Sequence, residues 1–385
     1  MKDERRYQMR ILHTGDLHLD SPFCAYGQKD ADKQREAGRE LLRRIFDCAK
    51  DEKCEMILIA GDLFDSRFVT PESAELFCTL VENCGIPVVL SPGNHDYYTE
   101  NCFYSKIRAR LGDKLTVFSS PELQAFDFDD LRVRVYGYAF TSMALMQSPL
   151  SDAMSPEDNG YIKLLCAHAD LASPVSRYAP LTLAEIERFG FDYAALGHIH
   201  NRDEREDSDG RVRYCGFAEG RSFDELGTGG VWIVDLDGGR CEVSRRVLSN
   251  RAFYVRELDV SNIETNSALV DALIATASSC SASRGAHVRI SLCGRAEEQT
   301  VNHAILSISK IVAESGVEYL EIVDDTMPLL DGEYLERDAT LRGELYRTLL
   351  PKLRSEDGNE RRLATKALRI GLAAIDGKSI FGVSE

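Results

Sequence analysis

Eight side chains able to hold a cation or relay a proton fall where the sequence places strand ends: Asp16, His18, Asp62, Asn94, His95, His168, His198 and His200. Five of the chain's eight histidines are among them. In extended backbone the side chains at i and i+2 point to the same side, so Asp16 with His18, and His198 with His200, could each reach one ion. Mixed Asp, His and Asn donors suit a borderline dication such as manganese, iron or zinc, with magnesium as a further alternative and calcium as a poor match. Two ions sharing such a set need one bridging carboxylate. Asp62 stands alone on its strand end and is the candidate bridge. Such a pair activates a water and neutralises charge on a phosphoryl oxygen during in-line attack. His95 is left as a general acid for the leaving oxygen, with Asp96 placed to orient it. Singly, each piece reads as an ordinary turn or a core histidine. The series at successive strand ends is what points to a metal site.

The elements that must carry these residues follow from periodicity. Residues 10–13, 56–60 and 86–90 read as short strands, the last two as continuous apolar runs. Helices over 32–50 and 71–84 lie between them, the second opened by Pro71. Strand, helix, strand, helix, strand is the signature of a parallel sheet covered by helices, whose ligands gather at the strand C-termini. Residues 125–140 read as a hairpin turning at Asp129-Asp130, and 146–159 as a surface loop. Residues 162–167 form a strand ending at His168, 183–189 a helix, and 193–196 a strand ending at Gly197-His198. Further strands are expected over 212–217 and 230–247. From 253 to 323 the pattern is strand, helix, strand, helix, strand, with one helix spanning 297–315. From Glu333 onward it is helical, with Leu341, Leu345 and Leu349 on one stripe, then a basic amphipathic stretch carrying Arg361, Arg362, Lys366 and Arg369. The expected organisation is an α/β (α+β sandwich) domain over 1–250, a small βαβαβ domain over 251–328, and a helical segment over 329–385 that could bind a partner.

Composition bounds the function. The net charge of −17 argues against binding nucleic acid through overall charge, leaving a local basic face, bound cations or a basic partner to do so. Eleven cysteines with no CxxC pair fit a reduced compartment rather than a disulfide framework. No apolar run reaches membrane-spanning length and no signal-peptide core is seen, so a cytoplasmic protein without a membrane partner is expected.

The series Asp-x-His, Gly61-Asp62-Leu63-Phe64-Asp65, Gly93-Asn94-His95-Asp96, His168 and Gly197-His198-Ile199-His200 resembles that of the calcineurin-like metallophosphoesterases. Within them, His13 to Leu19, Gly61 to Asp65 and the run Tyr214 to Arg221 resemble the DNA-repair exonuclease branch of SbcD-like and YhaO-like nuclease subunits. The resemblance implies a calcineurin-like metallophosphoesterase fold and two metal positions. One would take Asp16, His18, Asp62 and His200, the other Asp62, Asn94, His168 and His198. His95 would stand beside the scissile phosphate, and Asp65 and Arg221 would be substrate contacts. It also implies Mn2+, DNA as substrate, and an SMC-like ATPase bound through the C-terminal helices, with a homodimer as a further option. Two other readings stay open: a phosphodiesterase of small substrates such as cyclic nucleotides, and a non-catalytic regulatory subunit of the ATPase complex.

Overall fold

A computed structural model describes residues 8–23, 28–65, 69–154, 160–171, 173, 175–201, 210–283, 285–328 and 332–377. They form two compact units, 1–250 and 251–385.

In chain order the first unit contains β1 (Gln8–Thr14), α1 (Gln28–Asp51), β2 (Met56–Ile59), α2 (Pro71–Asn83), β3 (Val88–Leu90), α3 (Phe103–Leu111) and β4 (Leu115–Val117). It continues with β5 (Gln124–Phe128), β6 (Val133–Gly137), β7 (Ile162–His168), α4 (Leu183–Phe189), β8 (Tyr193–Gly197), β9 (Val212–Tyr214) and β10 (Gly227–Asp237). Strand β11 (Arg240–Asp259) starts in this unit and ends in the next.

One sheet runs β10-β1-β2-β3-β4, parallel except for β10. The other runs β5-β6-β7-β8-β9, parallel except for β5. Both are buried on both faces, which explains the continuous apolar runs. Met9, Ile11, Met56, Leu58 and Val89 face Val133, Val135, Leu164, Cys166, Tyr193 and Ala195 across the middle of the sandwich. The alternate residues Leu12, Ile57, Ile59, Val88 and Leu90 pack outward with α1, α2 and α3. Leu165, Ala167, Ala194 and Leu196 do the same against α4. The order is helix, sheet, sheet, helix.

Helix starts obey local chemistry. Thr182 and Glu185 form a reciprocal capping box at α4. Thr70 caps α2 in front of Pro71, and its N–H and hydroxyl both donate to Asp20. That contact ties α2 to the loop after β1. α3 has no side-chain cap at Cys102, and the sequence reading missed it. Of the expected loop at 146–159, residues 155–159 lie outside those described.

In the second unit Ala252–Asp259 of β11 pairs in parallel with β12 (Ala286–Cys293), and β12 with β14 (Tyr319–Asp324). α5 (Asn266–Ser278), α6 (Glu298–Leu306) and α7 (Ile308–Ser315) complete the βαβαβ unit around Leu269, Leu273, Val288, Ile290 and Ile311. The single helix expected over 297–315 is two, broken at Ser307, whose hydroxyl donates back to the His303 carbonyl. β13 (Arg295–Ala296) and β15 (Met327–Pro328) make a two-residue ladder. Helices α8 (Gly332–Arg337), α9 (Leu341–Leu353) and α10 (Gly358–Ile375) follow. Of the leucine stripe, Leu341 is exposed and Leu345 and Leu349 are half-buried. The basic face of α10 is partly neutralised: Arg369 reaches Asp324 and Lys366 lies 2.9 Å from Asp325. No described helix is long and apolar enough to cross a membrane. The ten described cysteines form no disulfide with one another.

Candidate metal centre

The strand register aligns Thr14, Ile59, Leu90 and Val117 at one end of the first sheet, and His168 with Gly197 in the second. The loops leaving β1 and β2 then run side by side. The amides of Asp16, His18 and Leu19 donate to the carbonyls of Gly61, Asp62 and Leu63 at 2.9–3.0 Å. Asp16 and His18 do not occupy extended backbone as the alternation suggested. Their φ angles are 50° and 45°, in the left-handed region, and Asp62 (47°) and His198 (101°) share the feature. Such conformations are strained for residues other than glycine and gather at functional sites.

Close approach also fixes the glycines. A Cβ on Gly93 would lie 2.2 Å from Asp62 Oδ1, and one on Gly197 would lie 1.8 Å from the Ala60 carbonyl oxygen.

Among the described residues three groups of donor atoms result, each within 4.8 Å: Asp16, His18 and His200; His18, Asp62 and His95; Asp16, Asp62 and His168. The imidazoles are held from behind. His18 Nδ1 lies 3.0 Å from Asp65 Oδ1, His200 Nδ1 2.8 Å from Glu225 Oε1, and His168 Nδ1 3.1 Å from the Ala60 carbonyl oxygen. With Nδ1 carrying the proton in each, every Nε2 turns a lone pair into the site. The Nε2 atoms of His18 and His200 then face each other at 3.2 Å, and His168 Nε2 faces Asn94 Oδ1 at 3.0 Å. Acceptor meeting acceptor is repulsive unless a cation stands between.

The carboxylates make the same demand. Asp16 Oδ2 accepts from the His198 amide and the Cys215 thiol, whereas its buried Oδ1 has no hydrogen-bond partner. Asp62 Oδ1 accepts from the His95 amide, and Oδ2 lies 3.4 Å from His168 Nε2 and 3.7 Å from His18 Nε2, between the two histidine sets. Among the described residues no lysine or arginine pairs with Asp16 or Asp62. Burial pushes the Asp62 carboxyl up to about 6, with the Asp16 charge adding to it. Uncompensated buried carboxylates are costly, and a divalent cation relieves that cost. The residues therefore fit a pair of dications.

Four of the expected site residues have other neighbours than expected. Asp96 does not touch His95. Its buried carboxylate accepts from the amides of Gly93 and Phe64 and from the Tyr104 hydroxyl, clamping the turn that carries Asn94. Burial raises it to about 6 as well. His95 instead has Nδ1 3.1 Å from the Asp65 carbonyl oxygen, and it is exposed. Asp65 faces His18, and Arg221 is engaged with Glu225 through 2.7 and 2.8 Å contacts. His198 joins none of the donor groups; its ring lies against His168 and Tyr178, with centroids 5.1 and 4.7 Å away. Burial holds it low, at about 4. Sequence reasoning missed Glu225 as the support of His200; its only signal was its place in the stretch after Arg221.

The model for the calcineurin-like phosphoesterase family matches residues 9–202, and the chain belongs to that family, whose members are metal-dependent phosphoester hydrolases. Among curated relatives, an uncharacterized metallophosphoesterase, YhaO, of Bacillus subtilis is 30% identical over 60% of this chain and 58% of its own. The DNA double-strand break repair protein Mre11 of Haloferax volcanii is 27% identical over 66% of this chain and 56% of its own. A component of the nuclease SbcCD of Staphylococcus epidermidis is 24% identical, over 66% and 72%. The chain thus spans less than two-thirds of the length of YhaO and of Mre11.

Proposed function

We propose that the protein is a Mn2+-dependent DNA phosphodiesterase, the nuclease subunit of a repair complex with an SMC-like ATPase. The observation that carries the metal reading is Asp62 Oδ2, set between the Nε2 atoms of His18 and His168 at 3.7 and 3.4 Å. Asp16, His18, Asp62 and His200 would hold one cation; Asp62, Asn94 and His168 would hold the other, with His198, whose ring lies against His168, as its further ligand. Bound there, the cations would supply a deprotonated water and neutralise phosphoryl charge. His95 passes a proton to the leaving oxygen: its Nδ1 is turned to the Asp65 carbonyl, which leaves Nε2 for the exchange.

DNA as substrate is supported by relatives whose names carry DNA double-strand break repair and a nuclease. The ATPase is assigned to the C-terminal helices, where Leu341, Leu363 and Ile370 are exposed beside Arg361 and Arg362. The test is cleavage of end-labelled linear DNA with Mn2+, beside bis-p-nitrophenyl phosphate and a cyclic nucleotide, with Asp62→Asn as control. DNA cleavage lost in the variant is expected. Turnover of the small diesters alone would overturn the DNA assignment and make the protein a small-substrate phosphodiesterase.

A further inference from the structure

We propose that Glu225 is the residue that makes His200 a metal ligand, by holding its Nδ1 proton and so turning Nε2 into the site. Arg221 acts by gripping Glu225, not by touching substrate. The inference rests on the metal-site reading above.

His200 has two neighbours at the same ring nitrogen. Glu225 Oε1 lies 2.8 Å from Nδ1, and Arg221 Nη2 lies 3.0 Å from it. The two favour opposite tautomers. A carboxylate there needs the proton on Nδ1 and leaves Nε2 as a lone pair; a guanidinium donating there would put the proton on Nε2 and block coordination.

Arg221 is prevented from doing so by Glu225 itself. The guanidinium donates Nη2 to Glu225 Oε1 at 2.7 Å and Nε at 3.2 Å, and the Arg221 amide donates to Oε2 at 2.8 Å. These donors fix a carboxylate that is 5% exposed as a residue, so its position does not depend on solvent. A turn in which the Glu225 amide donates to the Ser222 carbonyl folds the carboxylate back onto Arg221. On the far side of the ring, Nε2 lies 3.2 Å from His18 Nε2 and 3.8 Å from Asp16 Oδ1. The same guanidinium reaches 4.0 Å from Asp65 Oδ1, the support of His18. One arginine thus spans the two carboxylates that aim the two histidines.

Supporting groups of this kind typically change metal affinity by about 10–100-fold when removed. The experiment titrates metal-free full-length protein with Mn2+, following the free ion by EPR, for wild type, Glu225→Ala, Glu225→Gln, Arg221→Ala and Arg221→Ala/Glu225→Ala. Nitrogen-15 spectra of the imidazoles in the metal-free proteins report the His200 tautomer. Glu225→Ala is expected to weaken one of two bound ions about 10–100-fold and to shift His200 away from the Nδ1–H form. Glu225→Gln retains an acceptor oxygen at that nitrogen but not its charge. It is expected to fall between wild type and alanine, and it carries the test if the alanine variant does not fold. Arg221→Ala should weaken the same ion and add nothing in the Glu225→Ala background, since both act through one contact. Wild-type affinity and tautomer in the Glu225 variants overturn the proposal while leaving the metal site standing. A raised KM for DNA with unchanged Mn2+ affinity in Arg221→Ala overturns the role given to Arg221. A wild-type protein that binds no Mn2+ removes the metal reading and this inference together.

Discussion

His95 stands apart from the other site histidines in being exposed, with its Nδ1 3.1 Å from the Asp65 carbonyl oxygen and 3.8 Å from that residue's carboxylate. That arrangement suits a group that meets the substrate. Replacing it with glutamine should leave both cations bound and slow turnover by about 100-fold or more; loss of Mn2+ in the titration would make it a ligand instead. His13 is the opposite kind of histidine. It is fully buried between the Tyr193 hydroxyl and the Leu196 carbonyl, and burial holds it low, at about 3. The unfolded chain takes up a proton below about 6.5 and the folded one does not until far lower, so stability is present at neutral pH and is lost as pH falls. At pH 5.5 the linkage is on the order of 1 kcal/mol. Denaturant unfolding of wild type and His13→Gln at pH 7.5 and 5.5 should show the wild type losing more; equal losses would contradict it. The donor types Asp, His and Asn were legible because their chemistry is carried by identity alone. Glu225 and the clamp role of Asp96 were not, because what a carboxylate touches depends on turns that bring Gly93, Phe64 and Tyr104, or Arg221 and His200, to it.

At the scale of elements, the strands were readable because two buried faces give β2, β3, β7 and β8 unbroken apolar runs. α4 was readable to the residue because its capping box and the following Gly190 mark both ends. α3 was hidden: it has no capping side chain, and its nine residues offer only three buried positions, Tyr104, Ile107 and Leu111. The split of α6 from α7 at Ser307 was hidden too, since serine is tolerated inside helices as well as between them. The loops that carry the ligands departed furthest from expectation. Their alternating residues are presented by left-handed backbone at Asp16 and His18, held by amides paired to the neighbouring loop. Close packing of these loops makes Gly93 irreplaceable. Gly93→Ala would set a Cβ 2.8 Å from the Asp62 amide nitrogen, and should cost about 1–3 kcal/mol in denaturant unfolding while weakening Mn2+ binding. An unchanged midpoint and affinity would show that the loop yields more easily than the packing implies.

For the whole molecule, the charge of −17 is compatible with the proposed polyanionic substrate if bound dications supply positive charge at the site. All the proposed ligands lie in the first unit, within 16–200. The second unit contributes none of them, and its most basic helix spends Lys366 and Arg369 on Asp325 and Asp324. Its β-α-β order was visible in the sequence, whereas the fate of those basic side chains was not, since ion pairing between α10 and the end of β14 leaves no mark on periodicity. The measurement that bears most directly on the account is an anomalous-difference map from Mn2+-soaked crystals. It should show two peaks, one among Asp16, His18 and His200 and one beside Asn94 and His168, with Asp62 between them. A single peak, or two peaks that do not share Asp62, would contradict it.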